Sequence, residues 1–205
     1  CLHHTGKATY DDGNALNING HNEVNLTFEF CDFINCGNRK DMSIVGVKNG
    51  RSEINFDHCV FTFEDGSTSS MVLTTTSSKV KFDGCQFNKT GTVKVQGQST
   101  GAFQFTNNIA DSISQEFLHI TNILTEPIIS GNTFQNCNYN SGNDAFITLD
   151  HRINNIEFID NTFSHITMSG NQYGGGIGLW IHNLEEEGET IIQFTNCQFL
   201  DNQNL

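Results

Sequence analysis

Asp144, Asp150, His151 and Arg152 lie close together, in Gly142-Asn143-Asp144 and Leu149-Asp150-His151-Arg152. Two carboxylates, an imidazole and a guanidinium are groups that cleave a polysaccharide by acid and base, or hold it through calcium. Asp144 and Asp150 share strand parity, so both face outward if one strand spans them. The same residues also read as the charged ends of a strand entering a turn, which requires no chemistry. A second acidic set is spread along the chain: Glu29, Asp57 and Asp83, each directly after a phenylalanine, Phe28, Phe56 or Phe82. If those three are neighbours in space, their like charges repel unless water, a raised pKa or a cation relieves them. Calcium is the metal that suits such hard oxygen ligands, and no other cofactor is expected.

The seven cysteines offer a different chemistry. Cys31, Cys59, Cys85 and Cys197 each stand three residues after a phenylalanine, Phe28, Phe56, Phe82 or Phe194. Asn108, Asn132 and Asn161 hold the same place after Phe105, Ile129 and Phe158. Cys36 and Cys137 follow Phe33 and Phe134 by three residues, and Cys1 stands alone. No two cysteines have a two-residue CxxC spacing and no histidine lies at a useful interval from a pair, so zinc is not indicated.

What must position these residues is a phrase that returns seven times: an apolar residue, two variable ones, Cys or Asn, one more, then usually Phe. It is clearest in Phe28-Glu29-Phe30-Cys31-Asp32-Phe33, Phe56 to Phe61, Phe82 to Phe87, Phe158 to Phe163 and Phe194 to Phe199, and weaker at Phe105 to Ala110 and Ile129 to Phe134. Successive copies start 28, 26, 23, 24, 29 and 36 residues apart, the range of solenoid repeats. With the leading apolar residue as position zero, positions minus two and zero alternate with polar neighbours, which predicts a short strand. Position plus two is Phe30, His58, Gly84, Asn107, Gly131, Asp160 or Asn196, mostly residue types that tolerate a left-handed backbone, so the chain bends there. Positions plus three and plus five resume the alternation on a second strand. A third apolar run follows in each period, such as Val93-Lys94-Val95, Phe117-Leu118-His119-Ile120 and Phe146-Ile147-Thr148-Leu149.

Two strands, a bend, a loop and a third strand make one coil. The expected fold is therefore all-β, a right-handed parallel β-helix of about seven coils and three parallel sheets, with equivalent residues stacked about 4.8 Å apart. Leucine-rich repeats have a similar period but need leucine columns, where this chain has Phe, Ile and Val. Inward columns are expected at minus two, zero, plus three and plus five. The plus-three column then becomes a ladder of small buried thiols and of Asn side chains that pair along the stack, although stacked Cα atoms also lie within disulfide range. Position plus one falls outside, so Glu29, Asp57 and Asp83 form a stack of outward carboxylates and a candidate calcium site.

Composition fits a chain of strands and sharp turns, with 17 Phe, 19 Gly, 26 Asn and one Pro. Residues 1–205 are expected to form a single β-helix domain, a segment of a longer solenoid. The net charge of −13, from 10 basic and 23 acidic side chains, excludes nucleic acid as a partner and disfavours anionic membrane surfaces. No apolar run approaches a membrane span. Glycosylation acceptors occur at Asn25-Leu26-Thr27 and Asn88-Lys89-Thr90, consistent with an extracellular or cell-surface location. Trp180 reads as core, and Glu185-Glu186-Glu187-Gly188-Glu189 as a solvated loop.

Phe194-Thr195-Asn196-Cys197-Gln198-Phe199-Leu200-Asp201-Asn202, with Tyr173-Gly174-Gly175-Gly176-Ile177, resembles the FxxN and GGA(I/L/V) repeat pair of polymorphic-membrane-protein autotransporter passengers and similar surface β-helices. The resemblance covers the chain from about residue 15 onward. It implies an extracellular surface solenoid for adhesion or display, with no catalytic residues to transfer. The expected role is adhesive, display or structural, with an extracellular glycan or a host protein as the candidate partner. The alternative is a carbohydrate-active enzyme, a lyase or glycoside hydrolase, with Asp144, Asp150, His151 and Arg152 in its groove. The residue set of polygalacturonases is not reproduced: no His-Gly exists, and Arg152-Ile153-Asn154 lacks the lysine.

Overall fold

The computed structural model describes residues 13–19, 25–34, 43–48, 53–63, 71–75, 79–96, 102–122, 127–139, 145–150, 153, 155–168, 179–182 and 191–204; for 13–19, 43–48, 71–75, 96, 180–182 and 204 it describes the backbone alone. The third apolar run of each period pairs with its equivalents in one sheet, made of β1 (Gly13–Asn19), β4 (Ser43–Lys48), β7 (Met71–Thr75), β10 (Val93–Gln96), β13 (Leu118–Thr121), β17 (Ile147–Asp150) and β21 (Leu179–His182). The first strand of the phrase builds a second sheet from β2 (Asn25–Glu29), β5 (Glu53–Asp57), β8 (Lys79–Asp83), β11 (Ala102–Thr106), β14 (Ile128–Ser130), β18 (Asn155–Ile159) and β22 (Ile191–Thr195). Its second strand builds a third sheet from β3 (Asp32–Ile34), β6 (Val60–Thr62), β9 (Gln86–Asn88), β12 (Ile109–Asp111), β15 (Thr133–Gln135), β19 (Thr162–Ser164) and β23 (Gln198–Leu200). Every pairing is parallel and joins one coil to the next, so the molecule is a parallel β-helix. A short fourth sheet of β16 (Asn138–Tyr139), β20 (Thr167–Met168) and β24 (Gln203–Asn204) adds to the three expected.

The bend between the first and second strands lies at position plus two in all seven copies. Phe30, His58, Gly84, Asn107, Gly131, Asp160 and Asn196 have φ between 49° and 67°. A left-handed backbone costs a bulky residue such as Phe30 roughly 1–2 kcal/mol. The first six corners are held because each corner N–H donates to the next coil, as Phe30 does to Asp57 O and His58 to Asp83 O. Glycine is required where the preceding coil's side chain lies over the corner. A Cβ on Gly84 would meet the His58 ring at 2.8 Å, and one on Gly131 would meet Asn107 Oδ1 at 2.6 Å.

A second left-handed corner lies at position plus seven, at Lys89, Ser112, Asn136, His165 and Asp201, with φ between 52° and 58°. It turns the chain out of the third sheet, and in the later coils it leads into the fourth.

The interior follows the expected columns. Ile54, Val80, Phe103 and Ile156 at minus two, with Phe56, Phe82, Phe105, Ile129 and Phe158 at zero, are at most 2 % exposed. Phenylalanine rings stack from coil to coil: Phe28 on Phe56 at 4.9 Å and Phe56 on Phe82 at 4.6 Å in one column, Phe33 on Phe61 at 4.8 Å and Phe61 on Phe87 at 5.0 Å in the other. Burying one such ring contributes about 2–3 kcal/mol, and stacking adds about 1 kcal/mol. Where Ala110 replaces Phe in the second column, Phe117 enters from the first sheet and touches Phe87 at 5.3 Å and Phe105 at 5.9 Å. Volume lost on one strand is thus restored from another, as close packing demands.

Candidate functional site

Register sets Glu29 beside Asp57 and Asp57 beside Asp83, so the stack of carboxylates exists as expected. Asp57 and Asp83 are each engaged by a neighbouring protein group. Asp57 Oδ1 lies 2.7 Å from His58 Nδ1. Asp83 accepts from Thr106 Oγ1 at 2.9 Å, Asn107 Nδ2 at 3.0 Å and Lys81 Nζ at 3.0 Å. Partial burial works against the Asp83 charge, but the bonds from Asn107, Lys81 and Thr106 outweigh it and hold the carboxyl below the ordinary range. At the second corner Asp111 repeats this arrangement. It accepts from Gln135 Nε2 at 2.6 Å, from Ser112 Oγ at 2.7 Å and more weakly from Asn136 Nδ2 at 3.4 Å. Burial again opposes the charge, and Ser112, Gln135 and Asn136 lower its pKa. In both cases the residue before a left-handed corner is clamped by the same column and the corner amide of the next coil. Inter-coil donors thus relieve the charge of Asp83, the last member of the stack, while Asp57 is met by His58 of its own coil. Among the described residues, no group of three His, Cys, Asp or Glu stands close enough to hold a metal.

Beside this stack the Phe30 ring is 75 % exposed and lies on the His58 ring at 5.5 Å. An exposed aromatic face flanked by Glu29 and Asp57 offers an apolar platform with hydrogen-bond acceptors at its edge.

Asp150 closes β17, in register with Thr121 of the preceding coil and His182 of the next. Asp144, His151 and Arg152 lie outside the described residues, as do Cys1 and Cys36 and the loop from Glu185 to Glu189. Sequence reasoning passed over the neighbours of Asp150 on the same face. Glu116 Oε1 lies 3.0 Å from His119 Nδ1, and both side chains are one-fifth exposed. His119 lies beside Thr148. The available signal was alternation: His119 and Thr148 are the polar interruptions of two apolar runs. Trp180 is in register with Thr148.

On the third sheet a shallow groove of about 340 Å³ is lined by Gln86, Phe87, Asn88, Ile109, Asp111 and Ser112. The acceptor Asn88 opens into it, and both Asn25 and Asn88 are exposed.

The plus-three column is internal. Cys59 and Cys85 are fully buried, and the five described cysteines are free thiols. The Cys59 and Cys85 thiols titrate as a pair: their mutual hydrogen bond favours a Cys59 thiolate and, with burial, pushes Cys85 far up. Burial raises Cys137 to about 12. Cys85 and Cys137 are therefore held protonated, and Cys59, whose pKa falls to about 7, is kept from acting as a nucleophile by its complete burial.

Neither a protein-family model nor a curated protein nor a solved structure matches this chain.

Proposed function

We propose that this chain is an extracellular or cell-surface solenoid that binds glycans in adhesion or display, in the manner of the autotransporter passengers it resembles. The observation that carries the reading is the outer surface: parallel register over seven strands repeats polar side chains at one strand spacing, on a frame locked by internal ladders. Such a frame keeps its outward groups in place without further ordering cost, which favours an elongated ligand. Exposed Phe30 on His58, the groove beside Asn88, and the hydroxyl-bearing outer face of β13 and β17 are three sites such a ligand can use.

A carbohydrate-active enzyme is the second reading, favoured by Asp150 lying on the same sheet face as the Glu116–His119 pair. A glycan array combined with a reducing-sugar assay separates the two. Binding without release of reducing ends is expected. Release of reducing ends transfers the assignment to the enzyme, and absence of both sinks the glycan reading.

A further inference from the structure

Leu118, Ile120, Ile147 and Leu149 belong to the core, so strand alternation turns His119, Thr121, Thr148 and Asp150 to the opposite face. Register places His119 beside Thr148 and Thr121 beside Asp150. Thr121 and Thr148 are each only 5 % exposed, and their hydroxyl oxygens have no hydrogen-bond partner. Leaving a buried hydroxyl unpaired is costly, and here two stand on adjacent strands of one outer face. Thr90, also unpaired, differs in place: it sits at the second corner in the column of Ile113, Cys137 and Ile166, all fully or almost fully buried.

Around the two hydroxyls the face carries complementary groups. The Glu116 carboxylate on His119 Nδ1 makes that nitrogen the donor in the neutral ring and leaves Nε2 as an acceptor. Lys94 lines up with His119 from the preceding coil and supplies a donor. Each threonine hydroxyl both donates and accepts. Paired donors and acceptors at short spacing match vicinal hydroxyl groups of a sugar. A uronate would have to approach Glu116, Asp150 and a chain of net charge −13.

We propose that the outer face of β13 and β17 is a binding site for a neutral oligosaccharide, with Thr121 and Thr148 as its floor and the Glu116–His119 pair as a wall. The assignment rests on the glycan reading above and narrows it to one face and one class of sugar.

The test titrates the full chain with neutral gluco-, xylo-, manno- and chito-oligosaccharides and with an oligogalacturonate, by calorimetry, alongside thermal melts. Thr148→Val and Thr121→Val keep the β-branched shape and remove the hydroxyl. His119→Gln is a partly exposed change that leaves the interior alone. The expected result is neutral-sugar binding weakened at least tenfold in each variant, with Tm unchanged or raised in the two valine variants. A merely structural hydroxyl would raise Tm on conversion to valine and leave affinity unmoved. Neutral-sugar binding that survives all three changes but is lost in Phe30→Ala overturns this site and leaves the glycan reading standing. Binding of the uronate alone overturns the class of sugar. No binding of any oligosaccharide overturns the site and the glycan reading together.

Discussion

Cys85 and Asn108 stand one coil apart in the same buried column, yet the ladder changes character between them. From Asn108 to Asn161, before the column returns to a thiol at Cys197, each amide both donates and accepts. Asn132 Nδ2 donates to Phe105 O at 2.7 Å and to Asn161 Oδ1 at 2.9 Å, while its own Oδ1 accepts from Asn108 N at 2.8 Å and Asn108 Nδ2 at 3.1 Å. The thiols keep only part of this. Cys59 Sγ donates to Phe28 O at 3.4 Å and Cys85 Sγ to Phe56 O at 3.5 Å, the same carbonyl that the amide reaches one coil earlier. A thiol replaces the amide as donor but is a poor acceptor. The difference teaches that one interior position can be filled for packing alone or for packing plus a continuous polar ladder. The second option fixes the spacing of coils more strongly because each buried polar group is fully paired.

Breaking the amide half is expected to cost most. Asn132→Ala orphans the Asn108 N–H and the Phe105 carbonyl in the core, for a loss of roughly 4 kcal/mol in urea-unfolding free energy. Asn132→Cys converts an amide rung into a thiol rung and should cost about half as much, roughly 2 kcal/mol, because the donor to Phe105 O survives. Cys85→Ala removes a weak donor and a small volume, and a loss of about 1 kcal/mol is expected. Equal losses for Asn132→Ala and Cys85→Ala would show that the two halves do not differ.

Two smaller effects sharpen the boundary. Asp83 clamps the coil of Asn108 to that of Cys85, and its pKa is depressed below the ordinary 3.8, as is that of Asp111. With the folded pKa below the unfolded one, their contribution is complete above the unfolded value and lost as pH falls through the folded one. The urea midpoint should therefore drop below pH 3.8, and Asp83→Asn should drop less between pH 7 and pH 3 than the unaltered protein. A wild-type-sized drop in that variant would remove Asp83 from the explanation. The least effect on stability is expected from thiol labelling. At pH 8, partly exposed Cys31 and Cys197 should react with a maleimide before Cys59, Cys85 and Cys137, which are at most 1 % exposed. Equal rates for all five would contradict the closed column.

Much of the scaffold was legible because it repeats. Phe, Cys or Asn, and Phe at fixed offsets placed the inward columns, and Gly84, Asn107, Gly131, Asp160 and Asn196 marked the first corner by residue type. The corner holds equally at Phe30 and His58, where type argues against it, because the inter-coil hydrogen bonds of the neighbouring strands impose the conformation. The second corner escaped notice: Asn136 and Asp201 carry the mark, but Lys89 and Ser112 at the same position do not, so no column of turn residues stands out. The acidic stack was visible as a column, but its neutralising donors were not. Thr106 and Asn107 lie more than twenty residues beyond Asp83 and carry no local mark of the contact. Glu116, His119, Thr121 and Thr148 were hidden for the same reason, since their shared face depends on which strand of one coil lies beside which strand of the next.

By itself the sequence determined the period, the facing of each strand and the composition of the core, because alternation and side-chain type act over a few residues. Tertiary structure alone decided which polar groups meet across coils, which hydroxyls stay unpaired and whether a carboxylate is clamped or free. In a solenoid each residue's nearest neighbours come from one period away, and here the period itself varies from 23 to 36 residues. Only the register of the folded sheets turns that variable distance into a contact.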